Sequence, residues 1–575
     1  MANPARWLLP RINEAEVEQL SRNVPVSRPA ARVLWRRGYR DADSARRFLE
    51  APLEDLHDPL LMKGMPVAVE RLRRAIAAGE RILLYGDYDV DGATSIVLLK
   101  KAIEMAGGAA QHYVPDRLTE GYGMRTEKIE QAAAAGVSLV ISVDTGIRAA
   151  EAVERARALG LDVIVTDHHL PETDLPPALA ILNPKQPGCA YPEKDLCGAG
   201  VTLKLVHAFL QALGWPAERL RRVLTSMLKM AAIATVADVV PLTGENRIIV
   251  KHGLAGLASV RNPGLRALLE VAGFSSGEAP SAGQVAFRLA PRLNAAGRMA
   301  SANDVVRLFL TEDEQQARQL AEQLHALNQE RQATEARIIS QILEECERVP
   351  VGDDQAALVF AGTGWHPGVI GIVANRLVDR FHRPAIVLSI DAETRLARGS
   401  GRSTGAFHLL EALEAAQDLL LRFGGHKQAA GLTLPADRID ELRGRLNRYA
   451  AERLRPEDLL PTHEFDARLG LDEISPAAVE DIFKLAPFGF GNPAPLFVVE
   501  EAEIVGEPSV YAENHLRVRL RQNGRLAWVK AWNFRERAAE LVAASRIDAA
   551  IQLEADEQSA ARGFPGWCLS LRDVR

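Results

Sequence analysis

Along the first half of the chain, short apolar runs alternate with longer segments whose apolar positions recur every three to four residues. The runs at 82–86, 111–114, 138–143 and 162–166 read as strands, and the stretches at 94–106, 125–135 and 148–159 as helices. Gly107, Gly136 and Gly160 stand where those helices need C-caps. This alternation predicts a parallel sheet with helices on both faces. In such sheets ligands bind beyond the carboxyl ends of the strands. Residues 1–60 are charged and helical in pattern. Residues 312–348 keep Leu320, Leu324, Leu327, Ile338 and Ile342 at helical spacing between charged faces. One helix of that length spans roughly 55 Å and suits a connector between domains.

A second, smaller α/β unit follows, with a strand at 356–360, the loop GTGWHPG, a helix at 369–381 and a strand at 384–390. From about 462 the pattern changes to short strands and turns. Residues 515–532 alternate strictly, so Arg517, Arg519 and Arg521 share one face and Leu516, Val518 and Leu520 the other. Asn523–Gly524 marks a hairpin turn, and Trp528, Lys530, Trp532 and Phe534 lie on or beside the returning strand. The expected organisation is an N-terminal helical segment (1–60), a parallel-sheet α/β domain (61–311), a connector helix (312–348), a smaller α/β domain (349–455) and an OB-like β-barrel (456–575).

At 575 residues the chain is too long for one core. Its formal net charge of −6 does not mark a nucleic-acid binder, so any basic surface must be local. The four cysteines form no CxxC pair and no zinc spacing, which fits a reducing cytoplasm. The N-terminus lacks a basic segment followed by an apolar one, and no run of eighteen apolar residues occurs, so no membrane span is expected.

The chemistry concentrates at strand ends. LLYGDYDVDGATS (83–95) places Asp87, Asp89 and Asp91 at alternate positions. Carboxylates this close repel one another unless a cation sits among them. A calcium EF-hand is excluded, because its twelfth position is Leu98 instead of Glu and the preceding segment reads as a strand. Asp144 ends SLVISVD, and Asp167, His168 and His169 end DVIVTDHH. Singly, each of these is equally a helix N-cap or a structural histidine; together they bring acids and imidazoles to one sheet edge. Asp238 lies in the apolar stretch MAAIATVADVVPL, where burial is costly without a partner. RGSGRST (398–404) and FGGHKQAAG (423–431) read as anion-binding loops, in which glycines let backbone amides approach a phosphate. The arginine-and-tryptophan face suits single-stranded nucleic acid, against the alternative of a solvated arginine face over a tryptophan-containing core.

Taken together, YGDYDVDGATS, ISVDTGI, VTDHH, IATVADVVPL, PRLNAAGRM, GWHPGVIGIVA, GSGRST, FGGHKQAAG and PFGFGNPAPLF resemble the DHH phosphoesterase superfamily. Within it they resemble the RecJ family of bacterial single-strand-specific exonucleases. That resemblance implies two Mn²⁺ or Mg²⁺ ions on Asp89, Asp91, Asp144, His168 and Asp238, with Asp144 bridging. It implies catalytic or phosphate contacts from His169, Arg298, Arg402, Ser403 and His426; the barrel face, read from its own alternation, offers Arg517, Arg519, Arg521, Trp528 and Trp532 for DNA contacts. Relatives carry a His where this chain has Tyr85, a poor ligand, so Asp87 is the expected substitute. The implied activity is 5′-to-3′ hydrolysis of single-stranded DNA to 5′-mononucleotides in recombination and repair. The implied partners are single-strand-binding protein and a repair helicase; a cleft between two domains of one chain gives no reason to require a dimer, so a monomer is expected. The rival readings are a phosphodiesterase for oligonucleotides or cyclic dinucleotides, and a non-catalytic DNA-replication scaffold.

Overall fold

The computed structural model describes residues 5–117, 119–352, 354–511, 513–556, 559 and 565–575. The first sheet has five parallel strands in the spatial order Ala110–Tyr113, Arg81–Tyr85, Val137–Val143, Asp162–Thr166, Ala180–Leu182. The last of these was not expected; three residues are too few to show a period. Alternation along the strands divides the core. Ile82, Leu84, Leu139 and Ile141 face one helical layer, and Leu83, Tyr85, Val140 and Val163 the other. Chain order reverses beside Arg81–Tyr85, which has the second strand on one side and the third on the other. A crevice therefore opens between the ends of Arg81–Tyr85 and Val137–Val143, where doubly wound sheets bind ligands.

Helix Glu314–Arg348 is a single element of 35 residues, roughly 52 Å long. Ala317, Leu320, Ala321 and Leu324 bury in the first domain's core, whereas Ile338 and Ile342 bury against Trp365, Ile370 and Val373 of the second. Midway, Arg331 pairs with Glu335, which also receives Arg376 at 3.2 Å. The second domain's sheet runs Arg422–Gly425, Ala429–Pro435, Leu396–Arg402, Ala385–Ile390, Leu358–Thr363.

The C-terminal sheet has seven strands, and pairing of Leu496–Ile504 with His515–Gln522 closes it on itself. The N-terminal residues are not a separate helical segment in space. Arg6–Leu8 is a strand parallel to Thr462–Glu464. Val17, Leu20, Val33 and Leu34, from the helices Glu14–Asn23 and Arg28–Arg36, share one core with Leu471, Ile482, Val518 and Val529 of the barrel module. Arg37 seals the junction on Asp466 at 2.9 Å. Among the described residues, no helix is long and apolar enough to cross a membrane.

Candidate metal centre and phosphate pocket

The turn after the first strand is shaped by its glycine and its caps. Asp89 is the N-cap of helix Val90–Met105, its Oδ1 accepting from the amides of Asp91 at 2.9 Å and Gly92 at 3.0 Å. A Cβ at Gly92 would lie 2.6 Å from the Asp87 nitrogen, so the turn closes only on glycine. Helix Ala290–Met299 braces it from outside: Asn294 Oδ1 accepts from Val90 N at 3.3 Å, and Gly297 lets the Tyr88 carbonyl come within 2.2 Å of where a Cβ would be.

Asp144 follows the third strand with φ +60°, a left-handed conformation that strains a side-chain-bearing residue. Its carboxylate enters two groups whose ligand-type atoms all lie within 4.8 Å of one another, Asp87–Asp89–Asp144 and Asp144–His168–His169. A third group at the same spacing is Asp91–His168–Asp238. His168 Nε2 stands 3.2 Å from Asp144, 3.7 Å from Asp238 and 3.8 Å from Asp91. Asp238 caps the C-terminus of helix Ala217–Ala237, and the next residue, Val239, has φ +58° and is 62% exposed. A β-branched residue in that conformation is an outlier.

Two anchoring roles escaped the sequence reading, the second of them that of a residue it had named. The amides of Gly198 and Ala199, at the start of helix Gly198–Ala212, donate to Asp91 at 2.5 and 2.7 Å. A Cβ on Gly198 would lie 2.7 Å from the Asp144 carboxylate. The sequence signal there is Cys197-Gly-Ala-Gly200, two glycines at a helix start. Asp167 is buried and accepts from the amides of Ile147, His168 and His169, and from His169 Nδ1 at 2.7 Å. It holds the imidazoles in place and is not a member of the metal groups.

The electrostatics fit a divalent pair. Asp87 Oδ1, Asp144 Oδ1, His168 Nδ1 and Asp238 Oδ2 are buried without a hydrogen-bond partner, and among the described residues no other carboxylate or imidazole atom is so placed. Burial, then the neighbouring carboxylates, raise the pKa values of Asp87, Asp144 and Asp238 well above the carboxylate range, and that of Asp91 to about 6. Bound cations remove that penalty, and oxygen donors with one imidazole suit Mn²⁺ and Mg²⁺. Burial pushes His168 down to about 3, so its imidazole is neutral, as a ligand must be. Burial opposes a proton on His169, but Asp167 outweighs it and the pKa is raised. Tyr85 takes no part: its hydroxyl accepts from Arg125 N at 3.2 Å and donates to the Gly123 carbonyl. Asp87 instead occupies the cluster.

These shifts have a definite sign. A carboxylate with a raised folded pKa contributes stability at low pH and loses it as pH rises through that value. His168, whose pKa is lowered, acts oppositely, but only below its unfolded value near 6.5. Between about pH 6 and 8 the carboxylates therefore dominate. Protein held in EDTA is expected to lose thermal stability across this range, and Mn²⁺ to restore more at pH 8 than at pH 6. Melting curves at both pH values check this; an equal Mn²⁺ increment at the two would contradict it.

Opposite the carboxylates is a cationic group. Arg298 donates to the Gly368 carbonyl at 3.2 Å across the domain junction. Burial, then Arg117, Arg402 and Arg331, hold its pKa down to about 9. Arg117, stacked on Tyr88 at 4.5 Å, is an addition that the sequence reading did not make. RGSGRST is not an anion loop. Leu396–Arg402 is a strand paired on both sides, so its amides are committed to the ladder. Strand alternation puts Ser400, not Ser403, beside Arg402, at 3.0 Å. The Ser403 hydroxyl instead donates to the Phe407 carbonyl at 3.3 Å, holding the following turn. His426 sits at the tip of the hairpin between Arg422–Gly425 and Ala429–Pro435. It lies within electrostatic reach of Arg148 and His169 of the first domain; its pKa is lowered by burial, then by these two.

On the barrel, the outward face of His515–Gln522 carries Arg517, Arg519 and Arg521, with Trp528 directly opposite Arg519. The Arg519 guanidinium stands 5.3 Å from the Trp528 ring, and Arg517 5.1 Å from that of Tyr511. Trp532 is packed against His515 at 4.8 Å. Arg521 is already paired with Glu503, at 2.5 Å.

A doubly wound sheet with acids and imidazoles at its switch point, facing arginines drawn from both the first domain and a second one joined by a long helix, defines a DHH phosphoesterase. The DHH family N-terminal domain matches residues 81–235, the DHHA1 domain 353–452 and the RecJ OB domain 465–562. The single-stranded-DNA-specific exonuclease RecJ of Bacillus subtilis is 41% identical over 558 residues, covering 97% of this chain and 69% of the relative. That of Escherichia coli is 38% identical over 502 residues, covering 85% and 86%. The crystal structure of RecJ in complex with Mn²⁺ from Thermus thermophilus superimposes with a TM-score of 0.84 at 31% identity, covering 100% of this chain and 80% of that one. The chain belongs to the RecJ family of single-stranded-DNA-specific exonucleases.

Proposed function

We propose that this chain hydrolyses single-stranded DNA from its 5′ end, releasing 5′-mononucleotides, in DNA recombination and repair. The observation that carries the reading is the three ligand groups linked through Asp144 and His168, with unpartnered buried oxygens and an arginine cluster opposite. Asp89, Asp91, Asp144, His168 and Asp238 would hold two Mn²⁺ or Mg²⁺ ions, with Asp87 added where Tyr85 is unable to serve. Such ions, when bound, activate water and neutralise phosphoryl charge. Arg117, Arg298 and Arg402 hold phosphate oxygens. His169, anchored through Nδ1 on Asp167, offers Nε2 to the same group. His426 closes on it from the second domain. The ligand set argues against a non-catalytic scaffold, and the aromatic, basic barrel face against a dinucleotide-only enzyme. The test is a 5′-labelled and a 3′-labelled oligonucleotide, each single- and double-stranded, with Mn²⁺ or EDTA. Labelled mononucleotide should appear first from the 5′-labelled single strand and not at all in EDTA; release in EDTA, or first from the 3′ label, would refute it.

His426→Ala is expected to slow the chemical step more than it weakens binding of long DNA, since a contact at the reaction centre matters chiefly in the transition state. Single-turnover rates beside equilibrium binding separate the two; weaker binding with an unchanged rate would contradict the role. On the barrel, each lost phosphate contact removes ~0.7 from the slope of log affinity against log salt. Arg517→Gln with Arg519→Gln should therefore flatten the slope by about 1.4, whereas Arg521→Gln, whose guanidinium Glu503 already neutralises, should change it little. Equal effects from all three would mean that the pairing with Glu503 opens on DNA. Point substitutions are the right probe, because cutting the chain near 460 would also strip the N-terminal helices of their shared core. The same reading extends to cooperation with single-strand-binding protein and a repair helicase, to a monomer, and to a cytoplasmic setting that suits four free cysteines.

A further inference from the structure

The segment PFGFGNP (487–493) has no role in the chemistry described so far, yet it touches the loop that carries Asp238. The amide of Leu242 donates to the Phe490 carbonyl at 2.7 Å. Gly491 has φ +72°, and a Cβ there would stand 2.8 Å from Pro241 Cβ and 3.0 Å from its Cα. A Cβ on Gly489 would meet Leu242 at 2.6 Å. The turn itself is rigidly held. Gly489 and Asn492 form a β-bridge, and buried Asn492 donates to the carbonyls of Leu485 at 3.0 Å and Pro487 at 2.8 Å while accepting from Arg37. Beside it, buried Arg247 of the first domain donates to the carbonyls of Leu485 at 2.9 Å, Ala486 at 2.8 Å and Phe48 at 2.6 Å. The contact therefore joins a fixed part of the barrel module to residues 241–242, three and four positions after a proposed metal ligand. Between them lies Val239, whose strained backbone persists only where its surroundings over-determine it.

We infer that the Gly489–Asn492 turn is a positioning element of the metal centre: by clamping Pro241 and Leu242 it holds Val239 in its strained conformation and so sets where the Asp238 carboxylate stands. This rests on the two-ion reading above. It makes a specific demand, because Asp238 belongs to the group with Asp91 and His168 and not to the group of Asp87, Asp89 and Asp144. Disturbing the turn should weaken one ion and spare the other.

The test is calorimetric titration of Mn²⁺ into the full-length chain, without DNA, for wild type, Gly491→Val and Val518→Ala. Val518 lies in the barrel core, paired with Val529 on the hairpin, and its truncation lowers stability without touching residues 241–242. The expected result is two sites in wild type and in Val518→Ala, and in Gly491→Val one site unchanged with the other weakened at least tenfold. The Mn²⁺ concentration for half-maximal nuclease activity should rise in parallel. Identical titrations for wild type and Gly491→Val would overturn the inference, as would equal losses in Gly491→Val and Val518→Ala. Where Gly491→Val does not fold, Gly491→Ala carries the same comparison. Failure of wild type to bind two ions would refute the two-ion reading instead, so the two failures are distinguishable.

Discussion

Asp144→Asn is expected to abolish hydrolysis, by a factor of a thousand or more, while the metal-free protein stays folded and melts no lower than wild type. The two halves have one cause. Asp144 is buried among Asp91, Asp89, Asp87 and Asp238, and burial together with their charge raises its pKa well above the carboxylate range. Without cations that carboxylate is a liability to the fold, and the amide relieves it. With cations it is the oxygen donor common to two ligand groups, and its loss removes at least one ion. A thousandfold loss corresponds to ~4 kcal/mol of transition-state stabilisation, within what metal assistance supplies. Thermal melts in EDTA and single-turnover rates in Mn²⁺ would check both halves. Normal turnover by a folded Asp144→Asn protein would end the assignment.

Gly198→Ala is expected to cost around a hundredfold in rate, although the residue has no chemistry. The added methyl would stand 2.7 Å from Asp144 Cβ and Oδ1. Asp144 has little room to yield, because its own amide is bonded to the Thr166 carbonyl at 2.9 Å and its backbone is left-handed. Helix Gly198–Ala212 has as little, since its first two amides hold Asp91. Either carboxylate moves by a fraction of an ångström to about one, and displacement of that size costs around a hundredfold in rate. Affinity for long single strands, which depends on many distant phosphate contacts, should change little. Rates over a range of Mn²⁺ concentration, set beside DNA binding, test this. Wild-type rates at limiting Mn²⁺ would show that the Cβ is accommodated and that the close approach is incidental.

Much of the site was legible because its signals are local. A carboxylate or imidazole just past an apolar strand is read from a few residues, and a parallel sheet guarantees that such ends share one edge. The strands at 81–85 and 137–143 follow from short apolar runs, and the long helix and the alternation at 515–522 from side-chain periods near four and of two. The neighbour of Arg402 was not legible, for the opposite reason. RGSGRST has the composition of a loop, and only the ladders on both sides of Leu396–Arg402 make it a strand, which turns Ser400 toward Arg402.

Local elements, the kind of chemistry and the strand ends that carry it are readable along the chain, because propensity, capping and periodicity act over a handful of neighbours. What the tertiary structure decided is every relation between distant segments. The amides of residues 198 and 199 cradle Asp91, helix Ala290–Met299 braces the acidic turn, and Arg117 joins Arg298 and Arg402. The N-terminal helices complete the core of a barrel more than four hundred residues away, and the turn at 489–492 clamps the Asp238 loop. Each depends on which apolar faces bury against each other and how closely two backbones can approach. Those quantities exist only once the chain has packed.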